Sequence, residues 1–141
     1  MTPILVFDIE TIPDVAGLRR LWNLPDDATD EAVVDLASQR RRQATGSDFL
    51  QSHLHRVVAI SCALRDRDAV RVWSLGTAKD GEAELVKRFF DGIDKYTPQL
   101  VSWNGSGFDL PVLHYRALFH GITAPRYWEM GDDDRDFKWN T

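Results

Sequence analysis

The feature that most constrains this chain is its opening, where Pro3-Ile4-Leu5-Val6-Phe7 runs straight into Asp8-Ile9-Glu10-Thr11. The apolar run Ile4–Phe7, closed off by Pro13, is too short for a helix and reads as a buried strand that turns polar at its C-terminal end. A strand buried this early must be covered by later segments of the chain, which calls for partner strands and for helices to pack on the sheet. At 141 residues the chain is large enough for one substantial core.

The segments after Pro13 have the required pattern. Val15, Leu18, Leu21 and Trp22 fall at helical spacing over Asp14–Trp22, with Asp14 as N-cap. Pro25-Asp26-Asp27 is a turn. Thr29-Asp30-Glu31-Ala32 opens a second helix to about Ala44, which ends on Arg40-Arg41-Arg42 and is stopped by Gly46. Residues 14–55 thus read as a helical insertion between the first and second strands. Val57–Leu64 is the second strand, Arg65–Asp68 a polar turn, and Val70–Leu75 alternates like a half-buried strand, so the two form a hairpin. Gly81–Asp94 is an amphipathic helix with Leu85, Val86, Phe89, Phe90 and Ile93 on one stripe. Leu100–Trp103 is a short strand leading into the tight turn Asn104-Gly105-Ser106-Gly107. A last helix runs from about Asp109 to His120 and ends at Gly121. Hairpin plus helical crossovers predicts an α/β fold with a mixed sheet flanked by helices, forming a single domain over 1–141.

From Ile122 to Thr141 the periodicity fades, with Pro125, Gly131 and Asp132-Asp133-Asp134. Tyr127, Trp128, Phe137 and Trp139 make this stretch too aromatic for a solvated tail, so its packing partners are expected beyond Thr141 and the chain reads as C-terminally truncated.

Composition removes other classes. With 43% hydrophobic and 28% charged residues the chain is neither disordered nor a collagen-like repeat. Its longest apolar stretches, such as Val57–Leu64, fall far short of the roughly 20 residues that cross a bilayer, so no membrane partner is expected. The N-terminus lacks the basic leader of a signal peptide. Cys62, the single cysteine, lies in an apolar run, which predicts no internal disulfide and a reducing, cytoplasmic setting. A net charge of −5 argues against a non-specific nucleic-acid coat, but not against a nuclease, because a divalent-metal site requires acidic residues.

Asp8 and Glu10 are two apart on a strand and leave the same face of the sheet. Two such carboxylates repel unless they share a proton or a cation neutralises them, and hard oxygen donors suit magnesium or manganese. The plainer alternative is a strand end at the surface. Asp109 opens the last helix, where it serves as an N-cap, faces a metal, or does both. Asp8/Glu10 and Asn104/Asp109 both lie at strand ends, where ligands of α/β sheets usually sit.

Phe7-Asp8-Ile9-Glu10-Thr11 resembles the first motif of the DEDD 3′–5′ exonucleases, proofreading nucleases with an RNase H-like fold. Trp103-Asn104-Gly105-Ser106-Gly107-Phe108-Asp109-Leu110-Pro111 resembles their second motif. With His55-Arg56-Val57-Val58-Ala59-Ile60-Ser61 between them, the chain is most similar to the predicted bacterial exonucleases related to the proofreading domain of family B DNA polymerases. The resemblance implies that Asp8, Glu10 and Asp109 are catalytic, metal-binding carboxylates, three of a set of four. It implies that Thr11 and Ile12 contact the terminal nucleotide, and that Asn104 and Phe108 position the strand. The implied chemistry uses two Mg2+ or Mn2+ ions, one generating hydroxide and one stabilising the leaving 3′ oxygen. The implied substrate is single-stranded nucleic acid with a free 3′ end, DNA or RNA, and the product a nucleoside 5′-monophosphate. The family's third motif, a Tyr or His shortly before an Asp on a C-terminal helix, has no counterpart: Tyr115 lies in the second-motif helix and Asp132–Asp134 in the irregular tail. The chain therefore carries two of three motifs. The alternatives are a catalytically inactive RNase H-like nucleic-acid-binding domain or an RNase H-like endonuclease.

The remaining candidates read as structural. Arg40–Arg42 form a solvated basic helix end, His55 and Arg56 are structural or surface groups, and His114 and His120 have no evident partner. Trp73 and Trp103 read as core or sheet packing ahead of base-stacking platforms, with the stacking alternative left open for Trp103 because it adjoins Asn104.

Overall fold

The computed structural model describes residues 1–129. These fall into two compact units, one made of Met1–Glu10 with the chain from Val57 onward, the other of Thr11–Arg56.

The first unit is built on the expected mixed sheet. Strands β1 (Ile4–Pro13), β2 (His55–Asp66), β3 (Ala69–Ser74) and β4 (Gln99–Val101) lie in the order β3-β2-β1-β4. β1 pairs in parallel with β4, with Val6 opposite Val101, and β2 pairs antiparallel with β3, with Ala63 opposite Val72. The hairpin closes through Arg67-Asp68, where Arg67 adopts a left-handed φ of 56°. Leu5, Phe7 and Ile9 of β1 point into the core, while Val6, Asp8 and Glu10 point out, as the two-residue period requires. In β2 the inward set shifts from Val57 to Ile60, Cys62 and Leu64, a one-residue slip of the kind a β-bulge produces.

Helix α3 (Glu82–Tyr96) lays Leu85, Val86, Phe89, Phe90 and Ile93 on the inward sheet face, and α4 (Asp109–Phe119) adds Leu110, Val112, Leu113 and Ala117. Phe89 is central to this packing, with its ring 4.9 Å from Phe7 and 5.2 Å from Phe90.

Two expectations change. β3 is not half-buried: Trp73 and Leu75 pack toward the core, but Val70 and Val72 are 65% and 79% exposed. The alternation is present, but β3 is an edge strand whose valines lie on the face away from α3, and periodicity alone does not say which face is covered. Secondly, the stretch after Gly121 is not irregular throughout. Pro125–Trp128 form a short helix, α5, and Tyr127 is buried with its ring 5.5 Å from Phe90 and 4.9 Å from His114. Tyr127 thus finds its packing partners within the chain. Asp132–Asp134, Phe137 and Trp139 lie outside the described residues.

The second unit is helical. Asp14 caps α1 (Val15–Trp22) by accepting from the Gly17 N–H at 3.0 Å, and Thr29 caps α2 (Asp30–Thr45) by accepting from the Ala32 N–H at 3.2 Å. Gly46, at φ 79°, ends α2 in the left-handed conformation that glycine adopts without strain. Leu18, Val33, Ala37, Leu50 and Leu54 make a separate small core. The three arginines are committed to this unit. Arg40 stacks 4.5 Å from the Trp22 ring, Arg41 donates to the Phe49 carbonyl, and Arg42 pairs with Asp48 at 2.8 Å.

Candidate active site

Asp8 and Glu10 are exposed on the outward face of β1, held there by the burial of Phe7 and Ile9 between and beside them. Asp109 is only 3% exposed and is the first residue of α4. The N-cap is Phe108, which makes no side-chain capping bond, so the capping role open to Asp109 is not the one it takes. Instead its Oδ1 accepts from the backbone N–H of Ile9 at 3.3 Å. Ile9 is the residue between Asp8 and Glu10. A single contact thus brings the head of α4 to the acidic end of β1, joining the two sequence motifs.

The electrostatics agree. Burial pushes the Asp109 carboxyl above the ordinary carboxylate range, and the negative charge of Asp8 adds to that rise. The amides of Ile9 and Asp109 and the nearby Ser102 hydroxyl act in the opposite direction. Ser102 is invisible as a candidate in the sequence, because nothing local marks a serine at a strand end.

The loop between β4 and α4 is tightly specified. Asn104 has a left-handed φ of 52°, and its carbonyl accepts from the N–H groups of Gly107 at 3.0 Å and Phe108 at 3.1 Å. A side chain on Gly107 would place its Cβ 2.5 Å from the Asn104 Oδ1, so only glycine lets the amide fold over this turn. Beneath the loop is a cleft of about 190 Å³ lined by Phe7, Leu100, Ser102, Asn104, Ser106 and Leu110. Phe108 is partly buried against the core.

Thr11 and Ile12 continue β1 within the second unit. There the Thr11 hydroxyl lies 3.1 Å from His55 Nδ1, whose Nε2 donates to the Leu50 carbonyl at 3.2 Å. His55 is buried and structural, and burial lowers its pKa. Ile12 is exposed.

A hard divalent cation fits the chemistry of these donors. Magnesium is commonly held by one or two carboxylates with water and substrate phosphate completing its shell, and the negative charges of Asp8 and Asp109 act on one another. Among the described residues no group of three or more His, Cys, Asp or Glu side chains is gathered into a cage.

Other candidates prove structural. His120 donates to Glu82 at 2.6 Å, and His114 lies 2.6 Å from the Tyr127 hydroxyl, so both have partners on other elements. Glu82 also accepts from Arg116 and from the Val57 N–H, binding α3, α4 and β2 together. Trp73 packs against the core as expected. Trp103 does not: it is 94% exposed. Cys62 is a free, buried thiol, pushed up to about 11 by burial and so unreactive. Among the described residues no helix is long and apolar enough to cross a membrane.

Comparison with known sequences fits this geometry. Residues 47–141 match the family described as predicted 3′–5′ exonucleases related to the exonuclease domain of PolB. The chain belongs to that family. It is also similar to a stretch of DNA polymerase 1 of Sulfurisphaera ohwakuensis, 51% identical over 37 residues. That stretch covers 26% of this chain and only 4% of the polymerase. The α/β mixed sheet is consistent with an RNase H-like fold.

Proposed function

We propose that this chain carries part of the active site of a metal-dependent 3′–5′ exonuclease that shortens single-stranded DNA or RNA from its 3′ end. The supporting observation is the Asp109 carboxylate bonded to the Ile9 amide, which sets Asp109 against the strand that presents Asp8 and Glu10. Hydrolysis adds a water oxygen to the terminal phosphorus, breaks the bond to the 3′ oxygen and leaves a 3′ hydroxyl on the shortened strand. The released product is a nucleoside 5′-monophosphate.

In this reading Asp8, Glu10 and Asp109 are the carboxylates that hold Mg2+ or Mn2+, two ions in the complete site. Bound there, the ions supply Lewis-acid chemistry at the scissile phosphate. Asp8 and Glu10 offer exposed oxygens to solvent and substrate, and Asp109 is fixed in direction by its amide bond. Asn104 and Phe108 position the strand, the first through the rigid loop and the second through its partly buried ring. Thr11 and Ile12 contact the terminal nucleotide. A third motif, a Tyr or His shortly before an Asp, would complete the set and has no counterpart in these 141 residues. The lone buried thiol supports a reducing, cytoplasmic setting.

The test is release of mononucleotides from a 5′-labelled single strand by the full-length protein in magnesium or manganese. Asp8→Ala and Asp109→Ala should each reduce the rate at least about a hundredfold, the scale of losing one electrostatic group at a reacting centre. Unchanged rates in both variants overturn the assignment. Metal-independent strand binding with no cleavage would instead favour a non-catalytic binding domain.

A further inference from the structure

We propose that Trp103 is a stacking platform for a base of the single-stranded substrate, a role that rests on the exonuclease reading and adds a residue to it. Tryptophan is highly buried on average, and an indole left in water forgoes one of the largest apolar burials available to a side chain. Here the indole is 94% exposed, the most exposed of the large apolar side chains described.

Its position is specific. Val6 of β1 stands opposite Val101 of β4 in a parallel register, and both valines are exposed on the outward face. Two residues onward along the two segments come Asp8 and Trp103, both exposed. Asp8 stays on the outward face of β1 by the strand period of two, and Trp103 stands in the turn two residues past the end of β4, so the indole and the first carboxylate follow the same paired valines at one end of the sheet. The backbone at this point is held. Asn104 follows in a left-handed conformation with its carbonyl bonded to two amides, and Gly105 packs its Cα so close to Ser102 that a Cβ there would sit 2.7 Å from the Ser102 Cβ. A platform on a fixed backbone loses little entropy when a base settles on it.

Charge supplies the need for such a platform. The chain carries a net charge of −5, and the arginine run of α2 is bound to Trp22, Phe49 and Asp48. A net negative charge gives little long-range attraction for phosphate, the usual source of nucleic-acid affinity, whereas stacking on an aromatic face is tolerant of both sequence and salt. The ligand class that fits is an unpaired nucleobase near the 3′ end.

The experiment measures anisotropy of a 5′-labelled single strand, protected at its 3′ end by phosphorothioate linkages, with the full-length protein in magnesium buffer. Trp103→Ala should weaken binding by about 5- to 100-fold, the range found on removing one stacking aromatic. Trp103→Phe should stay within about threefold of the parent, because it keeps an aromatic face. A second strand whose last three sugars carry no base closes the cycle: the parent should fall to the level of Trp103→Ala, and the variant should lose nothing more. Equal loss on both strands overturns the platform. So does Trp103→Ala binding like the parent, or a Trp103→Ala variant whose only change is a lower Tm or a changed oligomeric state, as for an indole that packs on protein. A parent protein that neither binds nor cleaves single strands overturns the exonuclease reading itself, whereas a parent that does both beside an unaffected Trp103→Ala overturns only the role of the indole.

Discussion

Glu82 heads α3 and Asp109 heads α4, and the two carboxylates begin from nearly the same circumstances. Each is the first residue of its helix, each is buried, and each accepts a hydrogen bond from a backbone amide of a sheet strand, Val57 for Glu82 and Ile9 for Asp109. They differ in the charges that meet them. Glu82 receives the Arg116 guanidinium through Nε and Nη2 and the His120 ring besides, all inside the fold. Asp109 meets the negative charge of Asp8. A buried carboxylate paired with a guanidinium holds elements together, whereas one placed beside another anion gains from a cation brought in from outside. The contrast separates a structural acid from a candidate ligand without any reference to motif.

The widest break in that comparison comes from removing Glu82. Glu82→Ala strips Arg116, itself 3% exposed in its side chain, of its buried carboxylate, and should cost about 3–5 kcal/mol of stability in urea unfolding. A cost under about 1 kcal/mol would mean that the two helix heads are not different in kind.

Asp14 provides the local reference. It too is buried at a helix head, but its carboxylate closes on Gly17 within its own helix. Asp14→Ala should cost about 1 kcal/mol, the worth of an N-cap, and leave the rate of the folded enzyme unchanged. A lost rate with stability intact would move Asp14 into the site.

Asp109→Asn should reverse the sign. It removes a charge that burial and Asp8 disfavour while keeping an oxygen for the Ile9 amide. Because the folded carboxyl titrates above its unfolded value, ionisation costs stability as pH rises through that range. Metal-free Asp109→Asn should therefore have a higher Tm than the parent at pH 7, a gain that vanishes on acidification through the ordinary carboxylate range. A lower Tm at neutral pH would show that Asp109 is satisfied as it stands.

The smallest effect runs the other way. Burial lowers the pKa of both His55 and His114 below the ordinary value of 6.5, so these rings bind protons more readily when unfolded. Their stabilising contribution is present above that value and is lost as pH falls through it toward the folded pKa. Tm measured from pH 7.5 downward should decline below about pH 6.5, less steeply in His55→Gln and His114→Gln. Identical slopes in all three proteins would remove the histidines from the account.

These contrasts also mark how far the sequence could be read. Elements with a strong local period were legible: β1 from its apolar run, α3 from its stripe, α1 and α2 from the capping chemistry of Asp14, Thr29 and Gly46. The acidic end of β1 and the Asn104–Asp109 turn were legible as motifs, because strand parity and helix starts are local rules. The partners of His114 and His120 were not, since Tyr127 and Glu82 lie 13 and 38 residues away from them. β3 shows the same limit, with its alternation visible and its covered face hidden.

By itself, then, the sequence determined the succession of strands and helices, the exposure of Asp8 and Glu10 on one side of β1, and the glycines its turns require. All of these rest on bonds and contacts within a few residues. Tertiary structure alone decided that Asp109 reaches Ile9 rather than capping its helix, that Glu82 meets the Arg116 guanidinium and the His120 ring, and that Trp103 stands in solvent instead of in the core. Each of these depends on which distant group the fold brings near, and no local period carries that information.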